Sequence, residues 1–171
     1  TSRPALRMLL ERQRLLGKQI NATDVGWSLS PVLNAAGRMG EADTAVRLLL
    51  STDDRERAEL VDRLVSLNEQ RKRAGEEAWG AVRPQAEESL AVHGGRFIYV
   101  QGADIHRGVT GIVAGRLSRQ FNAPAAVVSI LDDRAVGSIR STRGLVATDL
   151  LSHMDDLVID WGGHDAAAGF H

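Results

Sequence analysis

A chain of 171 residues with 43% apolar side chains is long enough to bury one ordinary core or two small ones. It contains no cysteine, which removes disulfides, thiolate nucleophiles and cysteine-ligated zinc or iron–sulfur sites, and its formal net charge of -1 removes the global basic field of many non-specific nucleic-acid binders. Aromatic residues, at 4%, are too sparse for a base-stacking platform, so a nucleic acid would be met mainly through its phosphates.

The opening stretch "TSRPALRMLLERQRLLGKQ" alternates charge with leucine, unlike the apolar run of a signal peptide, and no later run approaches the length of a bilayer span. The expectation is a cytoplasmic protein without a membrane partner. Residues 5 to 50 read as helical in three pieces, "ALRMLLERQRLL", "ATDVGWSLSPVLNAAG" and "EADTAVRLLLS", each with apolar positions three and four apart, and Gly37 and Gly40 act as stops. A long helix is expected from about residue 54 to 90. Its apolar stripe is Leu60, Leu64, Leu67, Ala74, Ala78 and Val82; Ser51 or Thr52 caps it, and Pro84 breaks it late.

After "HGG" the period becomes strand-like. "RFIYV", "AAVVSI", "RAVGSIR" and "LVID" are four candidate strands, with helical patterns "GVTGIVAGRLSRQF" and "LVATDLLSHM" between them. The expected fold is α/β: an N-terminal helical segment and a long connector helix, followed by a small α/β domain with a mixed sheet.

Four places hold more glycine and polar chemistry than packing requires. Arg38 lies between two glycines at a helix end, where its planar fork could take a phosphate or simply stand solvated beside the helix C-terminus. His106, Arg107 and Gly108 stand where a loop enters a helix; they could form an anion site or simply a helix cap. Strand alternation points Ser138 and Arg140 the same way, towards a phosphate or towards water on an edge strand. Gly162, Gly163 and His164 could offer N–H groups in a nest-like turn, with the alanines behind them starting a helix. No cluster of carboxylates and histidines of the kind that holds hydrolytic metal ions is visible, and the adjacent pairs Asp132–Asp133 and Asp155–Asp156 suit turns.

The stretches "LNAAGRMGEADTAVRLLLS", "LNEQRKR", "HRGVTGIVAGRL", "GSIRS" and "GGHDAAAG" occur in the order and approximate spacing of the RecJ-like single-strand-specific exonucleases of the DHH phosphoesterase superfamily, and the chain resembles that family over nearly its whole length. The resemblance implies three parts: residues 1–52 as the end of a DHH catalytic domain, 53–93 as a connector helix, and 94–171 as a DHH-associated substrate-binding domain. It implies a metal-dependent 5′→3′ exonuclease acting on single-stranded DNA in repair and recombination. Mn2+ or Mg2+ would be held by Asp-rich motifs outside this sequence, so the chain alone would have no catalytic residue, no metal site and no activity. By the same resemblance, Arg38, Ser138 and Arg140 belong to the pocket for the terminal phosphate and adjoining backbone. His106, Arg107, Gly162, Gly163 and His164 belong to loops lining the same cleft. Ile105 and Trp161 depart from the tryptophan and phenylalanine common at those places, which bears on substrate preference. Two alternatives stay open: a DHH-type phosphodiesterase of short RNA or cyclic dinucleotides, and a non-catalytic nucleic-acid-binding or replication scaffold.

Overall fold

The structure, a computed structural model, describes residues 1–142 and 144–171. Two compact units divide it, Thr1–Arg73 and Ala74–His171. Both draw on one helix, whose first half fills the core of one unit and whose second half fills the core of the other.

The first unit is helical. Its elements are α1 (Pro4–Arg12), α2 (Ala22–Asp24), a π-helical turn (Val25–Leu29), α3 (Ser30–Arg38), α4 (Ala42–Leu50) and the opening turns of α5 (Asp54–Val92). Leu9, Val32, Ala35, Ala36, Leu48, Leu64 and Leu67 make its core. The end of α3 is set by Gly40, which alone of the two expected stops leaves the helix: at φ +86° it lets Glu41 N–H reach Ala36 C=O at 2.8 Å and its own N–H reach Gly37 C=O at 3.4 Å. Gly37 stays inside the helix, and Arg38 is thereby held in the last turn.

The start of α5 is capped by Asp53, whose Oδ1 accepts from Glu56 N–H at 2.7 Å, while Ser51 donates to the Glu56 carboxylate at 2.7 Å. The expected cap at Ser51 or Thr52 is thus displaced, with Ser51 supporting it from behind. Pro84 does not break the helix, which runs on to Val92. The proline and the residue four back, Gly80, are both exposed, so water can serve the carbonyl that loses its N–H partner.

In the second unit a five-stranded sheet has the order β1 (Ile98–Gly102), β2 (Ala125–Ile130), β3 (Ala135–Arg140), β5 (Ala167–Phe170), β4 (Trp161–His164). Only β1 and β2 are parallel, so the sheet is mixed. One face packs against α6 (Thr110–Phe121) and the second half of α5, burying Ala78, Val82, Ile98, Val100, Val113, Leu117 and Val127. The other face packs Ala126, Ile139 and Ala168 against α7 (Ala147–Ser152) through Leu151. The outer edge of β1 is closed by side chains of α5: Ser89 Oγ accepts from Tyr99 N–H at 2.8 Å and Gln85 Oε1 from Gln101 N–H at 3.3 Å.

Two expectations near the end of the chain fail. "LVID" is not a strand: Leu157 and Ile159 are exposed, and only Ile159 and Asp160 join the ladder, through backbone bonds with His171. The strand comes next, at Trp161, and the alanines behind it form β5 instead of a helix because pairing on both sides outweighs their helix preference.

Candidate nucleic-acid interface

Register builds this site. Ile139 and Ala168 point into the cluster beneath α7, so Ser138, Arg140, Ala167 and Gly169 face the α6 side. Ser138 pairs with Gly169 and Gly169 with Gly162; Arg140 pairs with Ala167 and Ala167 with His164. Two parallel rows result. Each starts with a donor side chain on β3 and crosses a floor of glycine and alanine, and one ends at an exposed histidine.

The first turn of α6 stands against the donor end of these rows. A Cβ added to Gly111 would lie 2.6 Å from Arg140 Nη2 and 3.4 Å from Ser138 Oγ, so the glycine makes room for both. Thr110 Oγ1 donates to Arg107 C=O at 3.1 Å and sits 3.0 Å from Ser138 Oγ. With its single proton committed to the carbonyl, Thr110 accepts from Ser138 and fixes that hydroxyl. Arg140 is half-buried and donates through Nη1 to Ile139 C=O at 2.9 Å, which orients its fork. A guanidinium, a hydroxyl and the positive end of a twelve-residue helix therefore meet above small residues.

His106 is the N-cap of the short 3-10 turn Arg107–Val109: its Nδ1 accepts from Gly108 N–H at 3.0 Å, which leaves Nε2 to carry the proton of the neutral ring. His106 and Arg107 are exposed on the loop that delivers Thr110. Ile105 is buried, 2% exposed, in the core under α6.

The Gly162–Gly163–His164 stretch lies in β4 rather than in a nest-like turn, because each residue is paired across to β5. Gly162 and His164 take the α6 side; Gly163 takes the opposite side, where a Cβ would fall 2.5 Å from Ala168 Cα. Trp161 shares that opposite side and donates from Nε1 to Asp155 Oδ1 at 2.7 Å. Of the residues singled out from the sequence, the fold thus brings Ser138, Arg140, Gly162 and His164 onto one face, and Arg38 belongs to the first unit. Thr110, Gly111, Ala167 and Gly169 escaped the sequence reading. Thr110 and Gly111 look like ordinary helix residues, and the other two acquire meaning only through register.

A family model, the DHHA1 domain, matches residues 94–171. Those residues are similar to that family. Over its length the chain is similar to the single-stranded-DNA-specific exonuclease RecJ of Bacillus subtilis, with 38% identity across 88% of this chain and 19% of that protein. It is likewise similar to RecJ of Thermus thermophilus, with 35% identity across 96% of this chain and 23% of the relative. The crystal structure of Thermus thermophilus RecJ in complex with Mn2+ superposes with a TM-score of 0.86 at 34% identity, covering 99% of this chain and 24% of that one; a structure of the same protein holds Mg2+. The chain thus spans about a fifth to a quarter of the relatives to which it is compared. Around the recess beside Ser138 and Arg140 the donor set is guanidinium, hydroxyl, imidazole and backbone, and among the described residues no group of three or more histidines or carboxylates is gathered to hold a metal ion. The recess does not fit Mn2+ or Mg2+. No described helix is long and apolar enough to cross a membrane.

Proposed function

We propose that this chain grips the sugar–phosphate backbone of single-stranded DNA for a RecJ-like 5′→3′ exonuclease, and that the recess on the DHHA1 domain receives the strand's terminal 5′ phosphate. The observation that carries the reading is the meeting of Arg140, Ser138 and the first turn of α6 over the floor of Gly162, Ala167 and Gly169. Arg140 supplies a bidentate fork and the helix end a fixed positive dipole, each matched to a phosphate oxygen, and Ser138 turns its one proton from Thr110 to the phosphate when the strand binds. The floor lets the strand lie close, and His164 adds a hydrogen bond at its rim. His106 and Arg107 border the same cleft, and Arg38, in the helical unit, is a phosphate-binding candidate separate from it. In this reading residues 1–52 close a catalytic domain, 53–93 connect it, and 94–171 hold the substrate, while the ions that activate water belong to the rest of a longer protein. That protein would work in the cytoplasm on DNA undergoing repair and recombination.

The test compares strands that differ only at the 5′ end. Arg140→Ala should weaken binding of a 5′-phosphorylated oligonucleotide by about 1.5–3 kcal/mol and bind the 5′-hydroxyl strand almost as before. Equal and negligible changes on both strands would retire the pocket. The unaltered chain with Mn2+ should bind labelled single strands and release no nucleotides; chelator-sensitive release would show that the chain itself holds the catalytic ions.

A further inference from the structure

In α5, Asn68 and Arg71 lie one turn apart on the flank of the buried stripe that contains Leu64 and Leu67. Asn68 is only 6% exposed, and its Oδ1 has no hydrogen-bond partner among the described residues. Arg71 is half-buried, and its Nε is equally without one. Buried polar atoms are nearly always satisfied in folded proteins, so two unsatisfied ones within a turn mark a place that awaits a partner.

Charge sharpens the point. Burial holds the Arg71 guanidinium below its ordinary range, and the like charge of Arg38, at the end of α3, pushes in the same direction. Glu69 opposes this, yet its carboxylate accepts from Lys72 at 2.8 Å. Two guanidinium groups and an amide therefore share one neighbourhood of the helical unit, and Asn68 and Arg71 each keep a polar atom unanswered.

We propose that Asn68 and Arg71, together with Arg38, bind an internal phosphodiester phosphate of the single strand, giving the helical unit a phosphate site of its own. A phosphate oxygen can take the Arg71 Nε–H, and the Asn68 amide can turn its NH2 to a second oxygen. The negative charge also relieves the repulsion between the two arginines. This site rests on the reading of the chain as a single-strand binder. It also predicts a conflict that a purely structural cluster would lack: substitutions that relieve the empty site should raise stability while lowering affinity.

The experiment titrates labelled oligothymidylate, with a 5′ phosphate or a 5′ hydroxyl, into the 171-residue chain and into Arg71→Gln, Asn68→Asp and Arg140→Ala, across a range of salt. Arg71→Gln should lower affinity roughly tenfold or more on both strands alike and reduce the salt slope by about 0.7. It should also raise Tm. Asn68→Asp sets a carboxylate beside Arg71 and should move both quantities the same way. If neither variant changes affinity while Arg140→Ala does, this site is refuted and the DHHA1 recess stands. A fall of Tm together with affinity in both variants assigns the cluster to structure and also refutes it. Absence of binding by the unaltered chain to either strand removes the single-strand reading and this site with it.

Discussion

A Cβ on Gly163 would run into the backbone of β5, whereas one on Gly162 would meet no atom within 4 Å. The two glycines therefore make separable predictions. Gly163→Ala should lower stability by about 1–3 kcal/mol, as overpacking does, seen as a fall in Tm. Gly162→Ala should melt within about 0.5 kcal/mol of the parent and still lose affinity for single strands, because its methyl group stands on the floor where the backbone would lie. Unchanged affinity would argue that nothing approaches that floor. Arg140→Lys separates charge from shape: an ammonium keeps the attraction and loses the fork, so a partial recovery relative to alanine is expected in the same titration. Ser138 and Arg140 were legible in the sequence because strand alternation is a local rule, and their common direction follows from it. Gly163 was misplaced for the converse reason. Its surroundings depend on β5, and no local pattern distinguishes a paired glycine from one in a turn.

Among the elements, α5 shows most plainly what sequence can and cannot convey. Its stripe of Leu60, Leu64, Leu67, Ala78 and Val82 is periodic and buried as spacing dictates. The same periodicity is silent about two separate cores being filled in succession. It is equally silent about Ser89, which looks like a surface residue and instead closes a strand edge. Ser89→Ala should cost about 1 kcal/mol and speed hydrogen exchange at Tyr99 N–H. Acid should act on the helical unit. Hydrogen bonds from Arg63 to Glu41, and from Arg47 and Ser51 to Glu56, hold those carboxyls below their usual range. Since their folded-state pKa values are depressed, the stability they give is complete above about pH 4.3, the unfolded value, and is lost as pH falls through the folded ones. Melting curves recorded downward from pH 6 should show that loss, and Glu41→Gln should make it shallower.

Taken whole, the molecule carries almost no net charge, yet its candidate contacts are guanidinium groups set beside small residues. Such a surface reads phosphate and ignores base identity, so affinity should fall steeply with salt, by about 0.7 log units per decade for each phosphate held, and differ little between homopolymers. A strong preference for one homopolymer would count against backbone recognition. Another consequence concerns assembly. Edge-to-edge growth of sheets needs two open edges on every molecule, and here side chains of α5 already take the outward N–H groups of Tyr99 and Gln101 on β1, leaving β4 as the edge not covered in this way. Pairing through β4 is therefore self-terminating. Two copies joined there present no further edge, so concentrated solutions followed by light scattering should plateau at the mass of a dimer, and removing the side chains of Ser89 and Gln85 together should be what permits longer polymers.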